Sequence, residues 1–297
     1  MSLMLSACAV APVFSQSFFR DTFNRADNTA LGSPSGPSAG GYTESVTNPA
    51  DARILSNQLD ITNGAAGAIS GNSYASALSG NGFTNLAAQT RWVQWTFNMR
   101  YNRATAPVGF DAGEYAIATV LTGTSTTLTG GNGYAVVYGR NNTNTIELVR
   151  FTGGLDADAN LTSLIATGAN PLGTVNDFGS FRVTFNPNTN VWQLFLRDDG
   201  AGAFVDPISG VNTLVGSATD STFTASGNAV GFYWNHGGTN NQTAQFDNMT
   251  FAAVPEPTTW AMIGLGGTAL VTGVWRLRRR KSTIMNTEVI NDGTENE

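Results

Sequence analysis

The sequence predicts an all-β protein, an antiparallel two-sheet sandwich of the jelly-roll type, and two observations carry this prediction. Charged residues make up only 12% of the 297 residues, whereas 34 residues are glycine. A helical protein normally builds its surface from Glu, Lys and Arg, so this composition favours strands and turns. The second observation is the alternation of apolar and polar residues with period two, which is typical of half-buried strands.

The alternation is clearest over residues 93–101 ("VQWTFNMRY"), where every second residue is apolar. Residues 180–186 and 190–200 alternate in the same way around the turn formers of "NPNTN", which predicts a hairpin. Shorter strands are predicted at "GYAVVYG", "TIELVRF", "AVGFYWN" and "AQFDNMTF". No helical pattern of useful length and no fixed internal repeat occurs between Phe18 and Phe251. These features favour a sandwich over a propeller or a solenoid.

Charge and cysteine content exclude several classes of function. The residues before Val254 include ten Arg against sixteen acidic residues, so we expect no nucleic-acid partner, which would require a basic face. The single cysteine, Cys8, precedes the body of the chain. The body therefore offers no disulfide, cysteine zinc site or thiol nucleophile.

No catalytic residues can be assigned from the sequence. The three Glu of the body, Glu44, Glu114 and Glu147, are isolated, whereas glycoside hydrolysis uses paired carboxylates. Glu147 alternates with apolar neighbours, and we expect it on a solvated outer face. We therefore predict a non-enzymatic protein, with a secreted carbohydrate-active enzyme as the alternative.

The first sixteen residues are predicted to be a secretory signal peptide. Residues 3–13 are mostly apolar, and Val13 and Ser15 have the small size required around a cleavage site. No basic residue precedes Arg20, which a true start further upstream would explain. A lipoprotein signal ending at Cys8 and a buried first strand are the alternatives.

Near the other end, residues 258–275 form eighteen uncharged residues, bracketed by Trp260 and Trp275. A helix of this length spans about 27 Å, close to the hydrocarbon core of a bilayer, so a transmembrane helix is predicted. A basic cluster follows directly and is expected to stay cytoplasmic, which places the body outside. The cluster consists of Arg276, Arg278, Arg279, Arg280 and Lys281.

Residues 254–281 resemble the PEP-CTERM protein-sorting signal of Gram-negative bacteria. The resemblance lies in Val254, Pro255, Glu256 and Pro257, followed by the apolar segment and the basic cluster, in that order. It implies export, passage through the inner membrane, processing by an exosortase near the Pro-Glu-Pro triplet, and association with exopolysaccharide and the cell surface. Residues 282–297 extend beyond this pattern, carry four acidic residues and are predicted to be disordered. A permanently anchored protein is the alternative.

The body, residues 17–253, resembles the concanavalin A-like lectin and glucanase fold. The resemblance lies in the order of "FRDTFNRADNTALG", "RILSNQLDIT", the predicted hairpin over 180–200, "AVGFYWNHGG" and "AQFDNMTF". It implies that the first and last strands are neighbours in one sheet, and that a loop Ca²⁺ and glycan binding belong to the repertoire of the fold.

Two groups of residues are candidates for binding. Tyr233, Trp234, Asn235 and His236 combine aromatic rings with polar groups suited to a sugar, although Trp234 fits the core better. Asp156, Asp158 and Asn160 have the i, i+2, i+4 spacing of an EF-hand start but lack its Gly and closing Glu. A solvated loop is the favoured interpretation, with Ca²⁺ as the one cofactor considered.

Overall fold

The computed structural model describes residues 16–46, 51–62, 70–238 and 242–254. The predicted signal peptide apart from Gln16, the sorting signal beyond Val254, the transmembrane helix and the acidic tail lie outside these residues. Within them the chain forms fifteen strands and one short 3-10 turn, Asp158–Asn160. The predicted all-β architecture is confirmed.

The strands are as follows, in chain order: β1 (Ser17–Asp21), β2 (Thr43–Ser45), β3 (Ala52–Leu55), β4 (Gln58–Thr62), β5 (Gly71–Leu78), β6 (Val93–Asn102), β7 (Ala116–Gly123), β8 (Asn132–Arg140), β9 (Thr143–Thr152), β10 (Leu161–Ala166), β11 (Phe178–Asn186), β12 (Val191–Gly200), β13 (Thr213–Thr219), β14 (Ala229–His236) and β15 (Thr243–Ala253). The predicted hairpin over 180–200 is β11–β12, and "RILSNQLDIT" forms the hairpin β3–β4.

The strands form two antiparallel sheets. Sheet A has the order β13-β12-β11-β6-β15-β4-β3, and β1 also pairs with β15. Sheet B has the order β10-β9-β8-β7-β14-β5-β2. The first and last strands are neighbours, as expected, because Arg20 of β1 lies opposite Thr250 of β15.

The main core lies between the two sheets and is rich in aromatic side chains. Trp95, Trp192 and Trp234 are all fully buried there. The indole Nε1 of Trp95, in sheet A, donates a hydrogen bond of 2.8 Å to the carbonyl of Leu121 in sheet B. This bond ties the two sheets together through the core.

Sheet B is buried on its outer face as well. Connecting segments place Phe110, Leu128 and Leu155 over that face and form a second, smaller apolar cluster. Glu147 lies on the same face, and the prediction that it is solvated is wrong. Its carboxylate is buried, and this is tolerated because Arg140 pairs with it at 3.0 Å and Thr145 donates a hydrogen bond to it.

Candidate functional site

A cavity of about 230 Å³ opens at the end of β14, where the connection from β6 to β7 crosses sheet B. This volume is below the ~300–1,000 Å³ that holds a drug-sized ligand, so the cavity suits one small polar group. The lining residues are Ser70, Gly71, Asn72, Ala112, Gly113, Asp156 and Asn235.

Asn235 joins the cavity to the sheet. Its side chain is 1% exposed, and Nδ2 donates to the carbonyls of Gly109 and Asp111, both at 2.9 Å. A buried amide with both protons bound is held in one orientation. Asn235 therefore fastens the β6–β7 connection to β14 and shapes one wall of the cavity.

Asn72 offers a free acceptor at the same place. It lies opposite Asn235 on β5, and its Oδ1 is buried without a hydrogen-bond partner among the described residues. A buried acceptor without a partner lowers the stability of the fold, and a ligand hydroxyl that donates to it would remove this free-energy cost. Asn72 was not among the residues singled out in the sequence, because a single Asn near the start of a strand has no distinctive signal.

The neighbouring candidates of β14 do not line the cavity. Tyr233 is fully buried in the outer cluster between Phe110 and Tyr74, and this burial raises the pKa of its phenol. Trp234 points the other way, into the main core. His236 is also fully buried, and its Nε2 lies 3.1 Å from Ser73 Oγ. Of the four predicted residues, only Asn235 reaches the cavity.

Three carboxylates lie next to the cavity. One oxygen each from Asp111, Glu114 and Asp158 falls within 4.8 Å of the others. Asp158 accepts the backbone N–H groups of Phe110 and Asn141, at 3.1 and 2.8 Å. The Asp158 N–H donates in turn to Asp111 at 3.0 Å.

Burial raises the pKa of the Asp158 carboxyl, and the two backbone donors offset part of this shift. The negative charge of Asp111 raises the pKa further. Hard oxygen donors of this kind suit Ca²⁺. The three carboxylates are therefore suitable ligands for a cation. The backbone N–H groups also hold Asp158 and Asp111 in place without an ion.

The predicted Asp156, Asp158 and Asn160 set does not converge on one point. Asn160 Nδ2 donates to Asp156 at 3.2 Å, and Asp156 lines the cavity. Asp158 instead joins Asp111 and Glu114. Sequence spacing could not find this group, because Asp111 and Asp158 are 47 residues apart.

Gly109 allows the carboxylates to approach the chain closely. A Cβ at this position would overlap Glu114 Oε2 and lie 2.5 Å from Asp158 Oδ2. Any larger residue would push the carboxylates apart. The first glycine of "VGFDAGEY" is thus required for the carboxylates to come together.

Comparison with known protein families identifies a sorting motif outside the sandwich. Residues 253–280 match the family described as the PEP-CTERM protein-sorting motif. The chain carries a PEP-CTERM sorting motif. This motif indicates an exported protein that is sorted to the bacterial cell surface. No curated protein matches the sequence.

Solved structures share the fold of the body. The carbohydrate recognition domain of Emp47p is 11% identical, with 80% of this chain and 97% of that chain covered and a TM-score of 0.50. The legume lectin-like domain from Entamoeba histolytica is 10% identical, covers 72% of this chain and 90% of its own, and has a TM-score of 0.46. Basic winged bean lectin is 14% identical, with coverages of 81% and 98% and a TM-score of 0.46. The body has a concanavalin A-like fold.

Among the residues that the structure describes, none forms a helix of the length and apolar character needed to cross a membrane. The predicted helix over 258–275 falls outside those residues.

Proposed function

We propose that the chain is an exported, non-enzymatic protein of the cell surface or extracellular matrix whose sandwich binds a glycan. The observation that carries this proposal is the polar cavity at the end of β14, with Asn72, Asp156 and Asn235 in its wall. The fold is shared with a carbohydrate recognition domain, which supports the same conclusion. Exopolysaccharide around the producing cell is the glycan source that the sorting motif favours.

The chemistry of the wall suits hydroxyl groups. Asp156 provides a carboxylate, which accepts hydrogen bonds from sugar hydroxyls. Asn72 provides a carbonyl oxygen without a protein partner, and a rotation of its side chain toward the cavity would present this buried oxygen to a second hydroxyl. The carboxylate cluster beside the cavity is the place where Ca²⁺ would bind, held by Asp111, Glu114 and Asp158. Bound there, the ion would neutralise the charge behind the wall and hold the β6–β7 connection in position.

The same carboxylates are poorly arranged for glycoside hydrolysis. Both oxygens of Asp158 accept backbone N–H groups. The Asp111 carboxylate likewise accepts the Asp158 N–H. These features support binding over turnover.

We expect Asn72→Leu to weaken glycan binding by about tenfold, because one hydrogen bond to the sugar is lost. The unfolding temperature should hold or rise, since the variant also removes a buried acceptor without a partner. A glycan array followed by calorimetry on the best ligand measures the first effect, and a thermal melt measures the second.

Asn188→Leu is the matched control, because Asn188 is exposed in the β11–β12 turn. Equal losses in both variants would contradict a site at the β14 end. Each titration is repeated with EGTA, and a lower affinity in EGTA would assign Ca²⁺ to the site. A reducing-sugar assay on the same glycans tests the enzyme alternative. Turnover that disappears in Glu114→Gln would overturn the non-enzymatic proposal.

Sorting is proposed to proceed through an exosortase in the inner membrane of a Gram-negative bacterium. Replacing Pro255, Glu256 and Pro257 together by alanine is expected to leave the chain uncut and in the membrane fraction. Mass spectrometry of the mature C-terminus checks this, with Glu295→Ala in the acidic tail as the control. If the wild-type protein still carries Trp275 at the surface, the chain is permanently anchored and the processing step is wrong.

A further inference from the structure

The outer face of sheet A carries a row of side chains that the proposed glycan cavity does not use. Register places six residues side by side across six strands, and each is directly opposite the next. From β1 to β13 these residues are Arg20, Thr250, Thr96, Arg182, Phe195 and Leu214. We call this row the arginine stripe.

The stripe faces away from the core. Its members alternate along their strands with the buried residues Trp95, Val183 and Phe251. Arg20 is exposed, Arg182 is half-buried, and Leu214 at the end of the row is 50% exposed, whereas Thr96 in the middle of the row is buried. The stripe is therefore a surface feature of the sandwich, and it lies on the sheet that does not carry the β14 cavity.

The two arginines of the stripe differ from most others in the body. Five arginines, Arg25, Arg53, Arg140, Arg150 and Arg197, form ion pairs with carboxylates. No carboxylate of the described residues lies within ion-pair distance of Arg20 or Arg182. Arg91, Arg100 and Arg103 share this property among the described residues, so it is the position of Arg20 and Arg182 in one row that distinguishes them. Two unpaired cations on one face attract an anion even on a chain of net charge −6.

The two rows beside the stripe differ in charge. On one side the adjacent row consists of Ala252, Gln94, Thr184, Gln193 and Ser217, which are all uncharged. The row on the other side consists of Asp247, Asn98, Ser180 and Arg197, and Arg197 there is paired with Asp199. The Arg182 guanidinium lies 4.0 Å from the centre of the Phe195 ring, and this packing holds the cation over the face. Partial burial lowers the pKa of Arg182, a shift that a nearby anion would oppose.

Spacing indicates the form of the ligand. Neighbouring strands are about 4.8 Å apart, so the three strand steps between Arg20 and Arg182 separate their backbones by about 14 Å. Between the two cations lie the half-buried Thr250 and the buried Thr96. Two cations at that separation, with the Thr250 hydroxyl between them and an apolar end at Phe195 and Leu214, match a linear polymer with repeated charges. Anionic membranes are usually recognised by clusters of four to eight basic residues, more than this stripe has.

We propose that the arginine stripe binds a linear carboxylated polysaccharide, of the polyuronate class, that runs across the strands of sheet A. Carboxylates of the polymer pair with Arg20 and Arg182, and an apolar sugar face packs on Phe195 and Leu214. This is a second carbohydrate surface, and it does not depend on the β14 cavity. The surface distinguishes polymers by charge, because an uncharged polymer forms no ion pairs with the two arginines.

The test uses the full chain, polygalacturonate, and the methyl ester of the same polymer, which has the same backbone without the charge. We expect the double variant Arg20→Gln, Arg182→Gln to bind polygalacturonate about tenfold more weakly, as expected for one exposed and one half-buried charge pair. Its affinity should also depend less on salt. Arg91→Gln is the matched control, because Arg91 is exposed just before β6 and outside the stripe. The basic residues 276–281 are identical in every variant.

Arg20→Gln alone serves as a second variant, because Arg20 is exposed and its replacement leaves the Arg182–Phe195 packing intact. If the double variant fails to fold, a loss of about threefold in Arg20→Gln supports the stripe.

The proposal is overturned if polygalacturonate does not bind, or if its methyl ester binds equally well. It is also overturned if Arg91→Gln weakens binding as much as the double variant. Arginine-dependent binding to vesicles of anionic lipid, without binding to polygalacturonate, would assign the surface to a membrane instead. Asn72→Leu is expected to leave polygalacturonate binding unchanged, so failure of this inference is distinct from failure of the proposed glycan cavity.

Discussion

Replacing Trp95 by alanine is expected to lower the free energy of unfolding by about 4–5 kcal/mol. Its indole is 0% exposed, stacks on Phe251 with ring centres 4.6 Å apart, and lies 5.7 Å from Trp192. The variant also leaves the buried carbonyl of Leu121 without its indole donor. Because domains are stable by only about 5–15 kcal/mol, urea unfolding of the variant should begin at low denaturant.

Trp95→Phe separates packing from hydrogen bonding. It keeps an aromatic ring on Phe251 but removes the donor to Leu121, so a smaller loss of about 1–3 kcal/mol is expected. Trp92→Ala is the control, because Trp92 is only half-buried and directly precedes the same strand. A larger loss at Trp92 than at Trp95 would contradict the role assigned to the inter-sheet bond.

Raising the pH from about 4 to 7 is expected to destabilise the protein through Asp247. Burial raises the pKa of this carboxyl to about 7, and the nearby charge of Asp21 adds to the shift, while the Asn248 N–H opposes it. The unfolded chain releases the same proton near pH ~3.9. The folded state therefore binds more protons within this range, and stability falls as pH rises.

Asp247→Asn should remove this penalty and stabilise the protein at pH 8 by about 2 kcal/mol or more. The amide oxygen can still accept the Asn248 N–H, which donates to Asp247 at 2.8 Å. Urea unfolding of both proteins at pH 4, 6 and 8 measures the difference. The gain should vanish at pH 4, and the same substitution at exposed Asp206 should give no gain at any pH. A gain of equal size at all three values would contradict the assignment to ionisation.

Local pattern accounts for much of the fold. Alternation over residues 93–101 is sufficient to predict β6 and to say which of its side chains enter the core. The turn formers between β11 and β12 are sufficient to predict their hairpin. The pairing of β1 with β15 needed the fold resemblance, because no local signal links residues more than 200 positions apart.

The candidate site could be predicted only in part, for two physical reasons. The alternation of apolar and polar residues along a strand assigns Glu147 and Tyr233 to one face of a sheet. It cannot show whether connecting segments cover that face. Here they do, and both side chains are buried. The carboxylate cluster and the free oxygen of Asn72 arise from contacts between distant segments. Asn235 was found because it lies at the end of a strand beside polar neighbours, where cavities in sandwiches open.

If the chain is attached through its C-terminal side, as proposed above, the position of β15 has a mechanical consequence. This strand is hydrogen-bonded to β6 along one edge and to β4 and then β1 along the other. Its last residues are fastened further, since the Ala253 and Val254 N–H groups donate to the carbonyls of Gln16 and Trp92. A pull on the end of β15 therefore acts along a strand bonded on both sides, and many bonds must break together before the sandwich opens.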